Sequence, residues 1–437
     1  MGRLGHALAG SGFFIGPAAA YASGMTGTAI HLTTSLAWAK GGYTVQVALG
    51  SERQPANLLL DTGSSTLAVS PRAYAAERDS AMSATPWAQA IQYGGGSWAG
   101  PVLRSTLALG EGRHARRLPD ALFALIETPG DPFRQADGIL GLAYRELDPA
   151  HDLSNLLRQR GVQPPLSWPW PLDADPDTLR ARILAQPRVD LTPAFAALEE
   201  EGVVRDQFAL QAQRAVVHVR EDGLSDAALA ADPLNRGVLV LGGGAAAQSL
   251  YRGGFSDIRV VHDLYYNANL RGLRIGDGPL VPAPPLAPGD VARHGSNALL
   301  DTGSSFLVLE ASLYAAVMAA FAGHDARLPG LVEGFGAAFT RGEGLPNPAI
   351  DPRQWPDLHL HFESPTGGET AVRIGASHYW PHSALKAGQA LFLLMPGLPH
   401  FPRQSILGLP LFAGRYAIFD RRAGGLGAVR LAQAPLP

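Results

Sequence analysis

An eleven-residue segment recurs in this chain with nine of its residues unchanged, and that repetition constrains the fold more than any other feature. Asn57-Leu58-Leu59-Leu60-Asp61-Thr62-Gly63-Ser64-Ser65-Thr66-Leu67 returns as Asn297-Ala298-Leu299-Leu300-Asp301-Thr302-Gly303-Ser304-Ser305-Phe306-Leu307. Each copy is followed downstream by the same short apolar word, Ile139-Leu140-Gly141-Leu142 after the first and Ile406-Leu407-Gly408-Leu409 after the second. At average residue frequencies, two chance copies of a given five-residue word in a chain this long are on the order of one in ten million. The chain therefore carries a duplicated unit, with its two echoes in the same order in each half.

Around those echoes the pattern is one of short apolar runs broken by Gly, Pro and Asp, such as Tyr43 to Leu49, Gly237 to Leu241 and Tyr416 to Phe419. Runs of that length at frequent spacing predict a mostly β protein, and 51 glycines with 35 prolines fit its many turns. Pro193 to Glu201 and Ala311 to Phe321 carry apolar residues three and four apart, which predicts short helices. The reading divides the chain into an N-terminal extension over 1–29, a first lobe over 30–205 and a second over 206–437. Within the first, 149–190 is crowded with Pro and Trp and reads as a surface insertion, with a lid or partner site as the alternative.

The repeated word has a chemistry. Asp-Thr-Gly after an apolar strand puts a carboxylate at the strand's end, in a tight turn that Gly allows. Two such loops meeting at a pseudo-twofold axis would set Asp61 and Asp301 side by side. Like charges that close cannot both ionise easily, so the pair shares one proton. The ionised partner can take a proton from a water held between them while the protonated one donates to a substrate carbonyl. That is peptide hydrolysis with water as the nucleophile and no covalent intermediate.

These residues resemble the pepsin-like aspartic proteases over about 41–431, with the closest resemblance to the β-secretase (memapsin-like) branch. The resemblance implies a mostly β, bilobal pepsin-like acid protease fold: two related β-lobes, an active-site cleft between them and a few short helices. It also implies roles. Asp61 and Asp301 are the catalytic pair; Thr62 and Thr302 interlock the two loops; Gly63 and Gly303 shape them. Ser64 and Ser304 supply hydroxyls to the outer carboxylate oxygens, and Ile139-Leu140-Gly141 and Ile406-Leu407-Gly408 pack beneath the loops. The segment from Ile91 to Gly100 is similar to the family's hairpin flap, which implies substrate contacts from Tyr93, Gly94, Gly95, Trp98 and Ile139. The expected activity is that of an aspartic endopeptidase on peptide or protein substrates. The rival is a non-catalytic peptide- or protein-binding module using the same cleft. A dyad made by dimerisation is not required, because both halves lie in one chain, and a monomer is expected.

Composition narrows the rest. The chain has no cysteine, which removes disulfides, thiolate zinc sites and thiol nucleophiles, so the lobes must hold by packing. A net charge of −3 gives no electrostatic footprint for nucleic acid. The histidines show no metal-site spacing; His359 and His361 read as the polar face of a strand, and neither metal nor organic cofactor is implied. No Asp, Glu, Lys or Arg lies between Arg3 and Lys40, and Ala20-Tyr21-Ala22 resembles a cleavage site, although Gly10, Gly12, Gly16 and Pro17 break the helix a signal needs. A real signal would make the protein secreted, lumenal or periplasmic; otherwise a soluble intracellular protein is expected, with no membrane span.

Overall fold

Alternation decides the local structure. In the strand Gln54–Asp61, Ala56, Leu58 and Leu60 are buried on one face, so the period of two turns Leu59 and Asp61 to the other. The strand Ala298–Leu300 buries Ala298 and Leu300 in the same way, and Asp301 follows directly. A computed structural model describes residues 29–437 apart from 94–95, 112–114, 129–132, 134, 173–174, 294 and 398–402. The expected N-terminal extension thus lies outside the described residues except for Ala29.

The two halves repeat one strand arrangement. Gln54–Asp61 runs parallel to Gly138–Gly141, pairing Leu60 with Leu140, and Leu67–Val69 lies antiparallel on the far side of that same strand. In the second half Ala298–Leu300 runs parallel to Ser405–Leu407, pairing Leu300 with Leu407, and Leu307–Leu309 lies antiparallel beyond it. Each apolar word is therefore a strand threaded between the two arms of its aspartate loop. Gly141 shows why that word needs a glycine: a Cβ there would lie 2.5 Å from both Ser65 Cα and Thr66 N.

Among the described residues fifteen strands form one continuous sheet. Its last six strands run in the order Ile30–Ser35, Arg236–Leu241, Gln207–Ala212, Arg415–Asp420, Ala428–Gln433 and Arg252–Arg259, and form an antiparallel platform beneath both lobes. Phe208 stacks on Phe419 across this platform with centroids 4.7 Å apart, and Tyr266 meets Phe419 at 4.7 Å. Tyr266 Oη donates to Leu142 O at 2.8 Å and Tyr144 Oη to Leu426 O at 2.7 Å, tying the lobes together in both directions. Buried aromatic pairs of this kind add about 0.5–1.5 kcal/mol each beyond their burial.

The second lobe is completed by a five-stranded and a four-stranded sheet and by the helix Ala311–His324, whose buried residues Leu313, Val317 and Phe321 recur every fourth position. Glu310 caps that helix, accepting from Ser312 N at 2.9 Å. Phe321, Trp355, Tyr379, Trp380 and Phe392 pack as one aromatic cluster beside it. In the strand Leu358–Glu363 Leu358, Leu360 and Phe362 are buried, which leaves His359 and His361 on the opposite face, as the alternation predicts. The helices expected from periodicity form as Ala194–Glu200 and Ala311–His324.

Candidate active site

The aspartate loops meet at the junction of the lobes. Gly63 N donates to Asp61 Oδ1 at 2.7 Å, and Gly303 N to Asp301 Oδ1 at 2.8 Å, so both loops close the same turn on their own carboxylate. Each carboxylate then rests on the other loop's glycine: a Cβ on Gly303 would lie 2.5 Å from Asp61 Oδ1, and one on Gly63 2.8 Å from Asp301 Oδ1. Only residues without a side chain let the two loops approach that closely. Asp61 is buried and Asp301 half-buried.

The threonines hold this approach. Thr62 Oγ1 donates to Leu300 O at 2.9 Å and accepts from Thr302 N at 2.9 Å. Thr302 Oγ1 donates to Leu60 O at 3.0 Å and accepts from Thr62 N at 3.1 Å. All four bonds are buried and cross between lobes. Thr302→Val removes a donor and an acceptor while keeping the volume; with a penalty of about 1–3 kcal/mol for each of the two orphaned groups, it should cost about 2–6 kcal/mol in urea unfolding. Thr302→Ser should stay close to the parent. Equal stability of all three would rule out the reciprocal pair as a structural tie.

The serines differ. Ser64 Oγ donates to Asp61 Oδ2 at 2.6 Å, as the resemblance implies. Ser304 does not match its twin: its hydroxyl turns back along its own loop and donates to Phe306 O at 3.1 Å. The expected hydroxyl bond to Asp301 is thus replaced by a local serine turn, since a short side chain readily satisfies a carbonyl two residues on. Burial pushes the Asp301 carboxyl well above the ordinary aspartate range. The charge of Asp61 beside it and a hydrogen bond with the Asp61 carboxyl add to that, while the Gly303 and Ser304 backbone N–H groups pull the other way.

The strands Ser83–Tyr93 and Gly96–Leu109 form a hairpin over the loops, with Tyr93 opposite Gly96 and Ile91 opposite Trp98. Gly94 and Gly95, expected at its tip, lie outside the described residues. Burial raises the Tyr93 phenol, the Asp61 charge adds to it, and the facing Trp98 indole and Ser64 hydroxyl oppose it. Among the described residues neither Tyr93 Oη nor Trp98 Nε1, both buried, completes a hydrogen bond of good geometry. Trp98 and Ile139 are buried with Ala68, Ala124 and Phe133 behind Tyr93 and do not line the adjoining cavity.

That cavity, of about 590 Å³, runs from Gly63, Ser64 and Thr66 under Ala90 to Tyr93. Its far walls include Tyr265, Arg180, Arg188, Arg293 and Glu146, none of which sequence reasoning singled out. Burial raises the Tyr265 phenol, and the charges of Asp61 and Asp301 contribute. The signal for it was the Tyr265-Tyr266 doublet: with Tyr266 pinned to Leu142 O, its neighbour is free for the cleft. Behind the hairpin, buried Asp148 accepts from Gln89 Nε2 at 2.6 Å; burial pushes it up to about 6 against the pull of Gln89 and Thr66.

A model of the eukaryotic aspartyl protease family matches residues 42–166 and 227–424, spanning both loops, the hairpin and both apolar words. The chain belongs to that family. A β-secretase of Strongylocentrotus purpuratus is 22% identical over 416 residues, covering 89% of this chain; the chain spans 66% of that relative's length. Membership of the aspartyl protease family supports a protease role in general terms. Among the described residues no helix is long and apolar enough to cross a membrane, and no group of three or more His, Asp or Glu is placed to hold a metal ion.

Proposed function

We propose that this aspartyl protease family member is an active aspartic endopeptidase in which Asp61 and Asp301 share one proton and activate a water. The observation that carries this reading is the crossed packing of the loops, which seats each carboxylate on the other loop's glycine. Two carboxyls held so close titrate as a unit, and the raised Asp301 is the natural holder of the proton. In the ground state Asp301 presents an acid to the substrate carbonyl, and the Asp61 carboxylate draws a proton from the attacking water. The water's oxygen bonds to the carbonyl carbon, the C–N bond breaks, and the amine leaves with a proton returned by the pair. Tyr93 and Tyr265 line the cavity that adjoins the Asp61 loop at Gly63 and Ser64, where an extended peptide would lie.

The test is cleavage of a mixed peptide library from about pH 3 to about pH 8, comparing the parent with Asp61→Asn. Cuts in acid that fade as the second proton leaves, vanish in the variant and stop with a statine-type inhibitor are the expected result. A folded protein that binds peptides but cuts none at any pH would establish the binding-module reading instead.

A further inference from the structure

One cation on the cavity wall is not used by the aspartate chemistry. The helix Pro176–Leu184 lies in 167–226, the stretch left out of the family match. Asp175 caps it, accepting from Thr178 N at 3.1 Å, and Pro176 opens its first turn. Leu179 and Ile183, one turn apart, are buried with Ala88, Ala90 and Ala99 of the hairpin and with Leu153, Leu157 and Leu172. The strand Pro149–Asp152 joins the hairpin's edge as well, pairing His151 with Ala88. The helix is therefore fused to the hairpin by a shared core, beside an edge strand that belongs to the family match.

That docking sets Arg180, next to the buried Leu179, on the cavity wall with Ala90 to Tyr93 and Ser64. Its Nε is fully buried and, among the described residues, lacks a hydrogen-bond partner, and its guanidinium forms no ion pair. The neighbouring cations are engaged: Arg188 Nε lies 2.7 Å from Asp190 Oδ1 and Arg293 Nη2 2.7 Å from Asp290 Oδ1. Glu146, exposed, is the carboxylate among the cavity-lining residues, and it makes no ion pair with Arg180. A guanidinium partly withdrawn from water with its donors unused binds a carboxylate more strongly than one in bulk solvent, and its planar fork matches both oxygens.

We propose that Arg180 is a specificity-determining residue that pairs with an acidic side chain, Asp or Glu, of a peptide extended through the cleft. This rests on the peptide-cleft reading above, but not on turnover.

Matched peptides differing only as Glu against Gln at one position at a time separate the two. They are compared at about pH 5.5, above the ordinary range of a peptide carboxyl, as substrates and as non-cleavable statine analogues whose binding is read by fluorescence anisotropy. At one position Glu should exceed Gln about tenfold or more, as a charge-assisted pair implies. The ratio should approach one in Arg180→Gln, invert in Arg180→Glu and be partly kept in Arg180→Lys. It should also fade below about pH 4, where the substrate carboxyl takes up a proton. No acidic preference at any position, or one that survives Arg180→Gln unchanged, overturns the proposal. A binding preference that follows Arg180 without cleavage would reject the hydrolase and keep the subsite; cleavage with a preference indifferent to Arg180 would do the reverse.

Discussion

Asp301→Asn should abolish peptide cleavage, by about a thousandfold or more on the scale of general acid–base effects, and should make the protein more stable at neutral pH. The two effects share one cause. In the fold, burial and the neighbouring Asp61 charge raise the Asp301 carboxyl, so the folded state holds a proton that the unfolded chain releases in the ordinary aspartate range. Below that range both states are protonated, and the wild type suffers no penalty. As pH rises towards the elevated value of the folded state, the unfolded chain ionises while the fold stays protonated, and stability drains away at about 1.4 kcal/mol per pH unit. Asparagine keeps the shape and never ionises. The difference in melting temperature between variant and parent should therefore be small near pH 3 and grow to neutrality. Asp148, raised to about 6 by burial, adds to the parent's loss with the same sign and is untouched by the substitution. An Asp301→Asn protein with a pH-independent offset, or with retained turnover, would contradict the shared proton.

Gly141→Ala should do the most damage to the fold for the least change in chemistry. Its Cβ would fall 2.5 Å from Ser65 Cα and from Thr66 N, atoms of the main chain that cannot swing aside as a side chain would. The strand Gly138–Gly141 is threaded between the arms of the Asp61 loop, so relief requires the arms to part, taking the buried Ser64–Asp61 and Thr62–Leu300 bonds with them. A loss above about 4 kcal/mol is expected, the range reserved for steric failure in a core, seen as insoluble or unfolded protein. Gly408→Ala should behave alike, because its Cβ would collide with the carbonyl oxygens of Ser304 and Phe306. Gly254, with nothing within 4 Å, is the control; alanine there should shift stability by no more than about 0.5 kcal/mol. A soluble, fully stable Gly141→Ala protein would mean that the threaded strand is not packed as described.

Legibility in the sequence followed duplication. The aspartates, threonines and apolar words were visible because each occurs twice, and the second copy turns a turn motif into a constellation. Tyr93 and the hairpin were visible through resemblance and lie over the loops. The Ser304 hydroxyl could not be read, because Ser64 and Ser304 are the same letter in the same word, and only the rotamer separates a bond to a carboxylate from one to Phe306 O. Arg180 was hidden for the opposite reason. It occurs once, on a nine-residue helix in an arginine-rich chain, and its meaning comes from Leu179 and Ile183 docking against a hairpin far away in sequence.

The platform strands also set a timetable. Gln207–Ala212 and Arg252–Arg259 never touch each other; Arg415–Asp420 and Ala428–Gln433 are inserted between them. A ribosome delivers the outer pair long before the inner one. Until residue 420 has emerged, Phe208 and Leu210 line an open strand edge, the kind of surface that recruits stray chains. The early half can begin its sheet, since Ile30–Ser35 meets Arg236–Leu241 well before that. Closure waits for the final segment, and a nascent chain stalled at 410 should be a chaperone client with an unfinished platform.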